Sequence, residues 1–407
     1  MDLTIRPIKE SEFDIFRSKL VRVFGGDIHK EDDPKHLRSI LDPARTVCAF
    51  DGNDLVGTCA AFTFDLTVPG STLAMGGTTM VTVQPTHRRR GILKAMMQAH
   101  LKEMKDRGEP LAGLWASESS IYGRFGYGYA VEGSFIKIDA KELIFTNNTQ
   151  KGSVNLIEAD DAAKIFPDIY EHIRQTRPGV LSRSKAWWDV RVFRDPQHRR
   201  EGKSAKRFVI YKENSQPLGY AIYRQKVNWE WAEFPKSHIY VVEVIAATDE
   251  AHLAIWKFLT NIDLFPMVQY WNAPVDDPLM WRINDPRRIQ RYNTDSLWIR
   301  IIDIKAALEG RSYSSQGRLV FDIHDEFMPA NSGKYELTTN SSEAQCKPTS
   351  TEADITLSAT SLGALYLGGN RFTTLANAGL VQGTPEALAM ADKMFAWTCA
   401  PWCPEVF

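Results

Sequence analysis

Val81-Thr82-Val83-Gln84-Pro85-Thr86-His87-Arg88-Arg89-Arg90-Gly91-Ile92-Leu93-Lys94 is the stretch on which the reading of this chain turns. The β-branched residues before Gln84 predict the end of a strand, and Pro85 and Gly91 bracket a basic loop. From Gly91 onward, Ile92, Leu93, Met96, Met97, Leu101 and Met104 fall on one face at helical spacing, with Gly108 as the stop. A helix start with successive backbone N–H groups beside positive side chains is a site for phosphate. Gly91 lets the backbone approach such a group with no Cβ in the way. The loop therefore predicts a bound pyrophosphate-bearing cofactor.

Outward from this loop the pattern is mixed α/β. Leu3 to Pro7 alternates like a short strand, and Phe13, Phe16, Leu20 and Phe24 mark a helix. Arg45–Phe50 and Leu55–Phe64 predict two strands joined by the turn Asp51-Gly52-Asn53-Asp54. A third strand covers Ala74–Val83, a fourth Pro110–Ala116, and a second helix is entered through Ser117-Glu118-Ser119-Ser120. The next segment repeats the logic. Phe208–Tyr211 and Leu218–Tyr223 flank a turn, and Ile239–Ala246 runs through Thr248-Asp249-Glu250 into a helix carrying Leu253, Ile255, Trp256 and Leu259. This second strand-turn-helix has neither the arginines nor the glycine, so it is expected to be a copy that has lost the phosphate cradle. From Asp295 strands alternate with polar turns and two helices follow, near Ser361–Leu367 and Pro385–Phe395, an α+β pattern.

The bulk properties narrow the function. A net charge of -1 excludes the strong basic excess of a nucleic-acid binder, so the three loop arginines form a local patch. No apolar run approaches the roughly 18 residues that span a bilayer, and Met1–Arg6 lacks an apolar signal core. The five cysteines, Cys48, Cys59, Cys346, Cys399 and Cys403, show no metal-ligand spacing, so no metal is expected. A reducing, cytoplasmic location is the expectation.

The loop and two further motifs carry chemistry. Arg88-x-x-Gly91-x-Leu93 after Val81-Thr82-Val83 resembles the acyl-CoA motif of the GNAT superfamily of N-acyltransferases, with Leu93 where Gly or Ala is usual. Tyr122-Gly123-Arg124-Phe125-Gly126-Tyr127 resembles the superfamily's helix motif, in which the first tyrosine faces the departing sulfur of CoA. The C-terminus, Trp397-Thr398-Cys399-Ala400-Pro401-Trp402-Cys403-Pro404-Glu405-Val406-Phe407, is aromatic where tails are usually polar, and is expected to dock. Together with Ala116-Ser117-Glu118 and Leu362-Gly363-Ala364-Leu365-Tyr366-Leu367-Gly368-Gly369, these motifs span the chain and resemble the enhanced intracellular survival (Eis) acetyltransferases.

The resemblance implies an α/β and α+β multidomain chain: a catalytic GNAT domain at 1–145, a second, degenerate GNAT domain at 146–294, and a sterol-carrier-like α+β domain at 295–407 ending in the catalytic C-terminus. It implies acetyl-CoA contacts at Val81, Thr82, Val83, Arg88, Arg89, Arg90, Gly91, Ile92, Leu93, Lys94, Ser117 and Glu118. It implies Tyr122 as general acid, the Phe407 carboxylate as general base, a homohexamer, and acetylation of aminoglycosides, in some cases at several amines, or of lysine amines. Asp27 and Glu405 are candidates for holding a polycationic substrate; Val406 stands where the family often has an acid. A protein or peptide N-acyltransferase and a non-catalytic acyl-CoA or lipid-binding module are the alternatives.

Overall fold

The computed structural model describes residues 3–147, 151–229, 236–340 and 343–407. In chain order the first part comprises strands β1 (Leu3–Arg6), β2 (Cys48–Asp51), β3 (Asp54–Val68), β4 (Ser71–Val83), β5 (Leu111–Trp115) and β6 (Gly128–Tyr129), with helices α1 (Phe13–Val23), α2 (Pro34–Arg38), α3 (Ile92–Asp106) and α4 (Ser119–Tyr122). The β2–β3 turn is the one expected: Asp51 pairs with Asp54, and Gly52 takes φ 59°, a conformation that costs glycine little. The buried face of α3 carries Ile92, Met96, Met97, Leu101 and Met104, as periodicity predicts, together with His100, while Leu93, expected on the same face, is half-buried and faces the cavity. Each buried apolar side chain contributes about 1.5–3 kcal/mol.

A second sheet collects β7 (Glu132–Asp139), β8 (Ser153–Ile157), β9 (Arg207–Glu213), β10 (Gln216–Lys226), β11 (His238–Ala246), β12 (Met267–Ala273) and β13 (Ile289–Asp295) in the order β13-β7-β12-β11-β10-β9-β8. Helices α5 (Ala159–Arg174), α6 (Lys185–Trp187) and α7 (Asp249–Thr260) belong with it. Its β9–β10 hairpin turns on Asn214 (φ 48°) and Ser215 (φ 67°), two left-handed residues that match the twist of paired strands.

Strand β14 (Leu297–Ile301) returns to the first sheet, whose order is β1-β2-β3-β4-β5-β14-β6. Two strands thus cross the segment ends expected from sequence. Glu132–Asp139 precedes residue 145 yet pairs with β12 and lies in the second sheet, and Leu297–Ile301 follows residue 294 yet pairs antiparallel with β5 and β6. Pairing between strands nearly two hundred positions apart leaves no local mark in the sequence. The chain clusters into two compact units, one of residues 1–131, 178–182 and 295–407, the other of 132–177 and 183–294.

The last part, in the same unit as the first sheet, holds β15 (Gly317–His324), β16 (Gly333–Thr339), β17 (Ala344–Pro348), β18 (Ile355–Ser358) and β19 (Val381–Gly383), a five-stranded sheet in the order β17-β16-β15-β18-β19. Helices α8 (Ile304–Glu309), α9 (Ala359–Leu365), α10 (Phe372–Asn377) and α11 (Pro385–Phe395) accompany it. Helix α9 lies directly on β6 and β14. A Cβ on Gly128 would stand 2.0 Å from the Thr360 carbonyl oxygen, and one on Gly363 would stand 2.2 Å from that of Ile299. Only glycine admits this backbone contact. No helix among the described residues is long and apolar enough to cross a membrane.

Candidate active site

Strands β4 and β5 run parallel and pair at Met75–Leu111, Gly76–Ala112 and Gly77–Gly113, after which β4 continues to Val83 without β5. A bulge re-aims this free stretch: Thr58 pairs with Thr82 and Ala60 with Thr79, so Met80 and Val81 together oppose Cys59. Met80 adopts φ 55°, unusual for a side chain of its size. Thr58 holds the bulge, its hydroxyl donating to the Met80 carbonyl at 2.7 Å while its oxygen lies 2.6 Å from the Thr82 hydroxyl. The edge of β4 beyond Gly77 offers main-chain groups to an extended ligand in the manner of an added strand.

After Val83 the chain makes a short 3-10 turn at Pro85–His87 and enters α3 through Gly91. Arg89 (φ 63°) and Gly91 (φ 79°) are both left-handed, which folds the loop over the helix start. No side chain caps α3, and a Cβ on Gly91 would meet nothing within 4 Å. The first-turn N–H groups and the positive end of the helix dipole thus face open space beside Arg88, Arg89 and Arg90. All three arginines are exposed, and none is held in an ion pair among the described residues. The corresponding helix of the second sheet is built oppositely. Thr248 caps α7 by accepting from the Ala251 N–H at 3.1 Å, and Asp249 and Glu250 fill its first turn. That end repels phosphate, as the missing glycine and arginines lead one to expect.

Tyr122 ends α4, is 6% exposed, and sits edge-on to Tyr127 at 6.1 Å. Burial pushes its hydroxyl pKa up to about 12, nearby Cys59 adds to this, and a hydrogen bond with Ser117 opposes it. The phenol therefore keeps its proton at neutral pH, the state a proton donor needs. Tyr127 is committed elsewhere: its hydroxyl lies 2.8 Å from Thr78 Oγ1, which lies 2.9 Å from His100 Nε2. His100 is fully buried, and burial lowers its pKa to about 3, so it is neutral.

A cavity of about 930 Å³ joins these parts. Of the expected cofactor residues it is lined by Val81, Thr82, Val83, Arg88, Arg89, Gly91, Ile92, Leu93, Lys94, Ser117 and Glu118, with Tyr122 among them. Arg90 lies on the loop but not on the wall. The volume, the uncapped helix start and the unpaired strand edge together fit a CoA thioester: Gly91–Lys94 with the arginines for the pyrophosphate, β4 for the amides of its arm. Sequence reasoning missed Val23 and Phe24 at the end of α1, Gln98 one turn beyond Lys94, Ile121, Arg124 and Phe125, and Glu326, Phe327 and Pro329. Gln98 was readable from its i+4 spacing to Lys94; Phe327, distant in sequence, had no local signal.

Phe407 lies on the other face of the first sheet. Successive strand residues point to opposite faces. A Cβ on Gly76 would meet Met104 of α3, whereas one on Gly77 would meet Phe64 and the Phe407 ring, at 3.1 Å for the latter. Phe407 packs on Phe64 with ring centroids 5.1 Å apart. The Phe407 ring thus stands beside Gly77, the residue where β4 and β5 part, across the sheet from α3. Asp27 is exposed beyond α1, Glu405 is buried at 6% exposure, and neither lines the cavity.

Residues 4–130 and 179–301 each match a GNAT acetyltransferase domain family, and residues 304–404 match a sterol carrier protein domain family. The chain is 35% identical to an uncharacterized N-acetyltransferase of Streptomyces avermitilis over the whole of both chains. It is 34% identical to the N-acetyltransferase Eis of Mycobacterium tuberculosis, covering 85% of this chain and 84% of that one. The crystal structure of Eis1 from Mycobacterium abscessus superposes with a TM-score of 0.87 at 30% identity, covering 99% of this chain and 100% of the other. Two tandem GNAT domains followed by a sterol-carrier-like domain is therefore the architecture of this chain.

Proposed function

Because the chain belongs to the Eis-type family of GNAT N-acetyltransferases, we propose that it moves the acetyl group of acetyl-CoA to primary amines of aminoglycosides, at more than one position in a molecule, or of lysine side chains. The observation that carries this reading is the split at Gly77, with Tyr122 on the α3 side of the sheet and Phe407 on the other. A donor entering from one face and an amine from the other would meet in the gap.

Acetyl-CoA supplies an activated thioester; the chain's residues handle protons and charge. An amine of pKa about 10 is mostly protonated at neutral pH and must lose a proton to attack. The Phe407 carboxylate, directly or through one water, takes it. Main-chain N–H groups of the bulged Val81–Val83 stretch stabilise negative charge on the carbonyl oxygen. Tyr122 gives its proton to the leaving sulfur. Arg88, Arg89 and the Gly91–Lys94 helix start hold the pyrophosphate, Arg90 adds positive charge from the loop behind them, and Ser117 and Glu118 border the arm. No cysteine enters: Cys48 and Cys59 are buried, and burial pushes both thiols up, Cys48 to about 12. Asp27 is the acid to test for aminoglycoside affinity, together with Glu405 if the tail shifts. On the family resemblance we also propose a homohexamer in the cytoplasm, testable by light scattering and fractionation.

Mass spectrometry of aminoglycosides, polyamines and lysine peptides incubated with the protein and acetyl-CoA tests the substrate class. Acetyl groups on several amines of an aminoglycoside support the reading. Acetylation of peptides alone would replace it with a protein acetyltransferase, and binding of acetyl-CoA with no acetylated product would remove it.

A further inference from the structure

Tyr122 and Tyr127 stand at the two ends of one closed turn. The Tyr127 N–H donates to the Tyr122 carbonyl at 3.3 Å and the Gly126 N–H donates to that of Gly123 at 2.9 Å, the pairing that ends a helix on a left-handed residue. Gly126 supplies that residue, with φ 83°. Arg300 of β14, fully buried and paired with Asp325, lies under Gly126, where a Cβ would stand 1.8 Å from its Nη1. The main chain of the turn is therefore fixed. The direction of the Tyr122 phenol is a separate matter, because the ring turns about its own side-chain bonds.

The neighbour that can set this direction is Tyr127, edge-on to Tyr122 with ring centroids 6.1 Å apart and itself fully buried. The Tyr127 hydroxyl lies 2.8 Å from Thr78 Oγ1, and Thr78 Oγ1 lies 2.9 Å from His100 Nε2. A hydroxyl carries one donor and two acceptor sites, so Thr78 serves both neighbours at once. The other ring nitrogen of His100, Nδ1, has no partner among the described residues. A buried hydroxyl left without a partner is costly, which holds the Tyr127 ring to this one setting. Thr78 is also the first residue of β4 beyond its last pairing with β5, at Gly77–Gly113. It thus belongs to the strand edge that receives the donor.

We propose that Thr78 and Tyr127 are positioning residues for the proton donor: the Thr78 hydroxyl, backed by His100, holds the Tyr127 ring, and that ring keeps the Tyr122 phenol aimed at the leaving sulfur. One hydroxyl thereby ties the acid to the strand that receives the thioester, and the two move as one body. The inference rests on the reading of Tyr122 as general acid.

The test is a double-mutant cycle on kcat in the full-length protein, with saturating acetyl-CoA and the same aminoglycoside or lysine-peptide acceptor throughout. Thr78→Val keeps the side-chain shape and removes the hydroxyl. Tyr127→Phe removes the same hydrogen bond from its other end and replaces Thr78→Val if that variant does not fold. Each is expected to lower kcat about tenfold, in keeping with the steep cost of misaiming a reacting group, with the KM for acetyl-CoA unchanged. Thr78→Ser, which keeps the hydroxyl, is expected to retain turnover. In the Tyr122→Phe background there is no phenol to aim, and neither change is expected to lower kcat further. Wild-type turnover in Thr78→Val and Tyr127→Phe, the same loss in both backgrounds, or an equal loss in Thr78→Ser would each overturn the inference while Tyr122 stands. Wild-type turnover in Tyr122→Phe alone would withdraw the acid, and this inference with it.

Discussion

Gly179 runs so close beneath Trp402 that a Cβ on it would stand 2.7 Å from the Trp402 carbonyl oxygen and 2.9 Å from its amide nitrogen. The Trp402 N–H donates to the Pro178 carbonyl at 2.9 Å, and Gly179 itself donates to the Thr67 carbonyl of β3 at 2.8 Å. The segment 178–182 thus extends β3 and carries the C-terminal tail on its other side, five residues before the proposed base. Gly179 also has φ 94°, so alanine there is doubly disfavoured. We expect Gly179→Ala to lower kcat at least tenfold, since small misplacements of a catalytic group cost that much, with the acetyl-CoA Kd unchanged. An equal loss of acetyl-CoA binding would mean that the variant disturbs the domain and not the tail.

Tyr122→Phe removes one hydroxyl from a buried site. General acids contribute about 10²–10⁴-fold in rate, so kcat should fall within that range while the thermal midpoint stays near wild type. Turnover close to wild type would assign the proton to water or to another group.

Gly91→Ala tests the cradle. The left-handed φ of 79° costs an L-residue about 1–2 kcal/mol, and the methyl would project into space that contains no protein atom within 4 Å. The variant should fold, lose roughly that much stability, and show a raised KM for acetyl-CoA. An unchanged KM would place the pyrophosphate away from Gly91.

His100 gives a pH signature. Its folded pKa of about 3 lies below the ordinary 6.5 because of burial, with Arg45 adding to the effect. As pH falls through 6.5 the unfolded chain binds a proton that the folded chain refuses until about pH 3. Stability is therefore present above pH 6.5 and lost through that window, at about 1.4 kcal/mol per pH unit. Denaturant unfolding at several pH values should show a shallower slope for His100→Gln than for wild type. Equal slopes would mean that other groups dominate the acid response.

What the sequence made legible was local. The Val81–Lys94 stretch could be read because a strand, a left-handed glycine and a helical apolar face follow one another within a few residues. The Asp51–Asp54 turn and the α11 span were readable for the same reason. The return of Leu297–Ile301 to the first sheet, the Arg300–Asp325 pair and the placing of Phe327 on the cavity wall depend on contacts between distant segments, for which periodicity carries no signal. The bulge at Met80 falls between: β-branched residues mark the strand, but only the pairing with Thr58 and Ala60 reveals the extra residue.

The most direct measurement is steady-state turnover of the protein lacking Phe407, with acetyl-CoA and an aminoglycoside or lysine-peptide acceptor, alongside acetyl-CoA binding by calorimetry. Removing the residue takes away the proposed base, whose ring packs beside Gly77. The expected result is that kcat falls by about 10²-fold or more while acetyl-CoA binds as before. Near wild-type turnover in the shortened chain would contradict it and remove the C-terminal carboxylate from the mechanism.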